Sequence, residues 1–281
     1  MRYDLHLHSH YSDGTLAPAA LVARAAAAGV DVMALTDHDC TDGMSEARAA
    51  AAEAGMQLVP GVEISVTWQQ MTIHIVGLGI RTDDATLCQG LARLLEQRRT
   101  RARAIADKLA RRNIAGALEA VTELAGGAIL GRTHFAHFLV ERGVVPTKEL
   151  AFRQYLLRGG AAYVPVQWAT LDEAVGWINA AGGQAVIAHP ARYKLTSGKL
   201  RKLLGEFRDA GGAAIEVVCG GQSPQINGNM AAFANEFGLL ASVGSDYHGP
   251  GQHWLEPGRL PRLPEIATPV WRDWAVEVKT Q

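Results

Sequence analysis

Short apolar runs alternate along this chain with alanine-rich stretches whose apolar positions recur every three or four residues. The runs at 3–8, 31–36, 57–62, 71–77, 184–188, 214–218 and 240–244 predict seven strands. The stretches at 18–28 and 43–54 predict helices, with Pro18 opening one and Gly29 and Gly55 lying just past the ends. Strand–helix alternation of this kind predicts βα units and a parallel sheet. Seven strands carrying polar groups at their C-terminal ends favour a distorted β/α barrel, a fold that keeps its chemistry on that face.

The rhythm breaks after the fourth strand. Segments 87–113, 118–124, 133–142 and 147–157 read as consecutive helices. The expectation is an α/β fold in which 1–80 and 161–281 form the barrel, with 81–160 inserted as a helical unit over its mouth.

Charge and composition narrow the function. Lys and Arg number 27 against 28 Asp and Glu, so no broad basic surface suits a nucleic-acid coat or a membrane face. The cysteines, Cys40, Cys88 and Cys219, are odd in number and scattered, which fits a reducing cytosol better than a disulfide framework. No run approaches about 18 apolar residues, and the chain enters its first strand without a leader-like apolar core. A cytoplasmic protein with no membrane association and no obligate protein partner is expected.

The strand ends carry the chemistry. In an extended strand alternate side chains share a face, so His6 and His8 should point one way and Leu5 and Leu7 the other. Asp13 follows in a Ser-Asp-Gly turn. Asp37, His38 and Asp39 end the second strand, Glu63 the third, and His74 lies on the fourth. His189 ends the fifth, and Asp246 and His248 follow the seventh. A lone strand histidine is usually satisfied by packing neighbours. Six strand ends with such groups are not, because buried imidazoles and carboxylates need partners or ions. Mixed nitrogen and oxygen donors without cysteine suit two or three divalent ions such as Mn²⁺, Zn²⁺ or Fe²⁺. Cys40 reads as a small buried residue, and His10 finds no role.

These residues carry a resemblance. His6-Leu7-His8-Ser9, Ser12-Asp13-Gly14, Leu35-Thr36-Asp37-His38-Asp39, Pro60-Gly61-Val62-Glu63, Ala188-His189-Pro190 and Gly244-Ser245-Asp246-Tyr247-His248 match, in order, motifs of the polymerase and histidinol phosphatase (PHP) family. The resemblance implies a seven-stranded β/α barrel with a trinuclear centre, most simply of Mn²⁺. It assigns His6, His8 and Asp246 to one ion. Glu63 bridges to a second held by His74 and His189, and Asp13, His38 and His248 take the third.

The inserted helices point to a substrate. Arg98 and Arg101 fall on one helix face in a run of four arginines, a pattern that in isolation reads as a solvated surface. Arg132 and His134 open a later helix, whose N-terminal N–H groups and dipole favour phosphate. Arg192 and Lys194 follow the His189 motif and add positive charge at the mouth. His137, one turn past His134, reads as helix packing, and His253 and Trp254 as structural. Arg132-Thr133-His134-Phe135-Ala136, Leu139-Val140-Glu141-Arg142-Gly143 and Ala161-Ala162-Tyr163-Val164-Pro165 resemble the subgroup of the family that acts on nucleotides. That subgroup includes 3′,5′-nucleoside bisphosphate phosphatases and 5′→3′ exoribonucleases of the RNase AM type; Thr133 stands where its pattern has Pro. The resemblance implies loss of the 3′-phosphate from a nucleoside 3′,5′-bisphosphate, with short single-stranded RNA as a further substrate. Asp13, Glu63 and His134 are the expected catalytic residues, with His134 a candidate proton donor to the leaving sugar oxygen. Rival readings are a histidinol-phosphate phosphatase, a C–N bond hydrolase on the same barrel, and a non-catalytic module. The first would want acidic groups for its amine, and the last is opposed by a complete ligand set.

Overall fold

The computed structural model describes residues 1–251 and 255–274; His253 and Trp254 lie outside the described residues. Its strands are β1 Tyr3–Leu7, β2 Val32–Leu35, β3 Gln57–Trp68, β4 Met71–Leu78, β5 Gln184–Ile187, β6 Ala214–Cys219 and β7 Leu240–Gly244. They form one sheet in chain order. The segment after β7 returns to β1: His8 N donates to the Tyr247 carbonyl at 3.0 Å, and Asp246 N to that of His6 at 2.9 Å. The sheet is thus a nearly closed barrel.

Two features depart from the parallel pattern expected above. β4 runs antiparallel to both β3 and β5. Only Gln69 and Gln70 join β3 to β4, with φ of 45° and 63°, a hairpin turn too short for the crossover that parallel strands require. β3 therefore continues to Trp68, which places Glu63 inside the strand rather than at its end. The second departure is in β1, whose register against β2 shifts between Asp4 and Leu7. Leu5 joins an apolar cluster with Val32, Ala34, Val59, Val76 and Val186, whereas Leu7 packs with Leu21, Met33 and Leu35. Leu5 and Leu7 do not share a face, and the irregularity re-aims the end of β1 toward the barrel mouth.

Helices α1 Pro18–Ala27 and α2 Met44–Ala54 follow β1 and β2. Between β4 and β5 run α3 Ala85–Ala110, α4 Ala117–Ala125, α5 Arg132–Glu141 and α6 Lys148–Ala151, then α7 Leu171–Ala180. Asp84 caps α3 by accepting from the N–H groups of Thr86 and Leu87. Ile105, Leu109, Phe135, Leu139 and Leu156 form an apolar cluster among these helices, separate from those of the barrel. α8 Ser197–Asp209 and α9 Pro224–Glu236 follow β5 and β6. No helix among the described residues is long and apolar enough to cross a membrane.

Candidate metal centre

Glu63 is the hub of the barrel mouth. Its Oε1 lies 3.0 Å from His74 Nδ1, 3.2 Å from His189 Nε2 and 3.4 Å from His6 Nε2. Its Oε2 lies 2.8 Å from His38 Nδ1 and 3.3 Å from His8 Nε2. Asp246 Oδ1 approaches His6 and His8 Nε2 at 3.4 and 3.3 Å. Asp13 Oδ1 lies 3.2 Å from His248 Nε2 and 3.8 Å from His38 Nε2. All nine side chains expected as ligands thus converge.

The donor set fits divalent ions. Atoms bonded to one ion at about 2.0–2.2 Å stand about 3–3.5 Å apart, the spacing seen around Glu63. Three groups have donor atoms within 4.8 Å of one another: His6, His8 and Glu63; His38, Glu63 and His74; and His8, Asp13, His38 and His248. Asp13 Oδ1, Glu63 Oε2 and the Nδ1 atoms of His38 and His74 are buried and, although close to neighbouring donor atoms, make no hydrogen bond of good geometry. Orphaned polar atoms are costly in a protein interior, and a cation satisfies them. The grouping differs in detail from the implied one, because His8 and His38 each belong to two clusters.

Electrostatics follow from this crowding. Burial raises the carboxyls of Asp13, Glu63 and Asp246, but the surrounding imidazoles outweigh it and hold all three well below the usual range. Burial, reinforced by His248 and His38, pushes His8 down to about 3, so it presents a free lone pair. Burial opposes charge on His6 as well, yet Glu216, Glu63 and Asp246 together drive it well above its ordinary value.

A surrounding layer orients these groups. Glu216 Oε1 lies 2.6 Å from His6 Nδ1, and Oε2 accepts from the His189 N–H at 2.5 Å. Gly244 allows this: a Cβ there would collide with His6 and crowd Glu216 Oε1. Asp37 accepts from Ser9 N, Ser9 Oγ and Ser12 Oγ at 2.6–2.7 Å, which fixes the loop carrying Asp13. Asp4 accepts from Ser245 N and Gly258 N, both at 2.8 Å, and so anchors the loop carrying Asp246. Burial lifts its carboxyl to about 6 against those bonds. Thr133 Oγ1 donates to Asp13 Oδ2 at 3.1 Å, joining α5 to the candidate metal ligands. Neither the Glu216 nor the Thr133 contact is read from the sequence, although a lone carboxylate within the apolar run Ala214–Cys219 is a visible signal.

A PHP domain model matches residues 4–139. Over 96% of its length, and 95% of the relative's, the chain is 45% identical to a 3′,5′-nucleoside bisphosphate phosphatase of Chromobacterium violaceum. This chain belongs to the PHP family. It is also 44% identical to the 5′-3′ exoribonuclease Rnm of Escherichia coli, over 97% of this chain and 93% of that one. A solved structure of an amidohydrolase from C. violaceum, with bound sulfate and no metal, superposes with a TM-score of 0.91. That pair is 44% identical, over 97% of this chain and 95% of the other. The PHP barrel here is that of a phosphate-ester hydrolase.

The cations expected to bind substrate divide into two groups. Arg98 is buried and committed: Nε donates to Asp39 Oδ2 at 2.7 Å and Nη2 to Ser65 Oγ at 2.9 Å, with its guanidinium 5.1 Å from the Trp168 ring centre. Arg192 pairs with Asp246 Oδ2. Both thus pair with carboxylates of this chain. Arg101 and Arg132 have no acidic partner among the described residues. They pack over Trp168 and Phe152 at 5.5 and 6.0 Å, and Arg101 Nε is buried without a hydrogen bond. Burial and the neighbouring Arg132 and Arg98 press Arg101 down to about 9. Lys194 is exposed and makes no hydrogen bond or ion pair among the described residues. His134 Nδ1 accepts from Gly131 N at 3.1 Å, which leaves Nε2 as its donor; burial lowers its pKa. His137 pairs with Glu141 at 3.2 Å, and His10 is exposed beside Tyr11.

Proposed function

We propose that this PHP protein removes the 3′-phosphate from nucleoside 3′,5′-bisphosphates, leaving the 5′-mononucleotide, and that it trims short single-stranded RNA from the 5′ end. The observation that carries the reading is the pair Arg101 and Arg132, half-buried, mutually repelling and without a carboxylate. Guanidinium groups in that state suit a phosphate dianion, which they grip with paired N–H donors. The 5′-phosphate is that group, and its binding orients the 3′-phosphate at the nine ligand side chains. Three divalent ions, Mn²⁺ by preference, fit that donor set; they would supply a nucleophilic water and neutralise phosphoryl charge. The His134 Nε2–H, on a neutral ring, donates a hydrogen bond to the substrate rather than acting as a charged acid.

The helical segment 81–160 is the substrate-facing insertion in this scheme, and its own apolar cluster supports treating it as a unit. Free cysteines at 40, 88 and 219 suit the cytoplasm. The RNA activity is supported by the likeness to the E. coli exoribonuclease. A cationic cluster disfavours the amine of histidinol phosphate.

The test is phosphate release with Mn²⁺ from adenosine 3′,5′-bisphosphate, histidinol phosphate, a 5′-phosphorylated oligoribonucleotide and an amide panel. The bisphosphate should be strongly preferred among the small molecules. Arg132→Ala should lower the ratio of kcat/KM for bisphosphate over the 3′-monophosphate by about 10- to 100-fold, the worth of a charge-assisted contact. An unchanged ratio removes Arg132 from the substrate, and turnover of amides alone ends the phosphatase reading.

A further inference from the structure

Beside Asp13 and His248 opens a cavity of about 470 Å³, within the size range of ligand pockets. Its other walls, among the described residues, are Thr15, Thr133, Lys148, Leu255 and the Gly249–Gly251 backbone. Arg101, Arg132 and His134 do not line it. The cavity thus differs in lining from the arginine pair, although Thr133 of its wall stands between Arg132 and His134 in the chain.

The chemistry of the two proposed substrates differs on one side only. In both, a water oxygen adds to phosphorus, the bond from phosphorus to O3′ of the first nucleotide breaks, and that O3′ takes a proton to become a hydroxyl. From a bisphosphate the departing product is inorganic phosphate. From RNA the phosphorus also carries the O5′ of the next nucleotide, so the shortened RNA keeps it as a new 5′-phosphate. The first nucleotide uses the arginine region in either case. The next nucleotide exists only in RNA and needs room beside the metal side chains.

The cavity offers that room. Gly249 has φ 142°, and a Cβ there would collide with Thr15, so this wall stays bare backbone. Leu255 and Pro250 provide apolar surface for a ribose or base, and Thr15 a hydroxyl. Lys148, at the start of α6, is exposed; its ammonium makes no hydrogen bond or ion pair among the described residues, and its charge acts on the neighbouring Glu149. An unengaged ammonium in a cavity next to a phosphoryl-transfer site suits a further backbone phosphate. We infer that this cavity is the subsite for the nucleotide on the 3′ side of the scissile bond in RNA, with Lys148 pairing with the phosphate beyond it. The assignment rests on the phosphoesterase reading above.

Steady-state kinetics with Mn²⁺ test it, using adenosine 3′,5′-bisphosphate and a 5′-phosphorylated triribonucleotide. Lys148→Ala should lower kcat/KM for the triribonucleotide about tenfold more than for the bisphosphate, and Lys148→Glu more still, with Lys148→Arg restoring most of the loss. The salt dependence of triribonucleotide cleavage should weaken in the Ala variant. Equal effects on both substrates, or none on either, overturn the subsite. So does a wild-type enzyme that cleaves the bisphosphate but not the triribonucleotide, an outcome that leaves the phosphatase reading standing. A wild-type enzyme inert toward both overturns the two together.

Discussion

Glu216 holds His6 by its far ring nitrogen, Oε1 to Nδ1 at 2.6 Å, while its other oxygen takes the backbone N–H of His189. One carboxylate thus fixes the tautomer of one candidate ligand and the position of another, with His6 Nε2 left facing Glu63 and Asp246. Such partners tune affinity as strongly as many direct ligands do. Glu216→Gln should weaken binding of the tightest ion by about 10- to 100-fold and reduce activity in step, read by metal titration calorimetry of the stripped protein. Unchanged metal affinity removes this role.

Thr133 gives the second test. Its hydroxyl holds Asp13 Oδ2, leaving Oδ1 aimed at His248 and His38. Thr133→Val keeps the shape but removes the donor, whereas Thr133→Ser retains it. The Val variant should lose up to one ion per chain at limiting Mn²⁺, about a tenfold loss in affinity, and the Ser variant should match wild type. Metal content after gel filtration is the readout, and equal content in all three proteins sinks the idea.

Arg98 and Arg101 stand three residues apart on α3 and should fail differently. Arg98 neutralises the buried Asp39, whose other oxygen accepts from Ser65 N at 2.7 Å. Removing one member of a buried pair costs about 3–5 kcal/mol, so Arg98→Met should lower Tm by several degrees. Arg101→Met relieves repulsion from Arg132 and should leave Tm equal or higher while raising KM for the bisphosphate. Thermal melts beside KM values separate the two, and a similar Tm loss in both variants contradicts the division of labour.

How far these roles could be read from the chain depends on the kind of residue. His6, His8, Asp13, His38, Glu63, His189, Asp246 and His248 stand in motifs whose local spacing already limits what they can do. The barrel was legible for the same reason, since βα alternation is a short-range pattern. The β3–β4 hairpin is harder to read because the apolar run predicts a strand end at Val62, although Ile64, Val66 and Trp68 continue the alternation and are all buried. Arg98 and Arg192 show their charge in the sequence but not their partners, Asp39 and Asp246, which lie 59 and 54 residues away. Glu216 is visible as a lone carboxylate in an apolar strand, but only the fold shows that it holds His6 and His189.

The last prediction concerns the junction of the inserted helices with the barrel. Glu173 accepts from Thr170 N at 2.8 Å to cap α7 and pairs with Arg93 of α3 at 2.8 Å. The Arg93 hydrogen bond, set against burial and aided by Thr170, lowers its carboxyl from 4.5 to about 2. A depressed folded-state pKa means the group stabilises the protein fully above pH 4.5 and loses that contribution as pH falls toward about 2. Both partners are more than one-third exposed, so solvent screening keeps the worth to ~0.5–1 kcal/mol. Urea denaturation of metal-stripped protein should therefore show Glu173→Gln less stable than wild type by that amount at pH 7. The gap should narrow steadily below pH 4.5 as the wild-type carboxylate takes up its proton. A gap that stays constant from pH 7 to pH 3 assigns the loss to the cap geometry and excludes the charge.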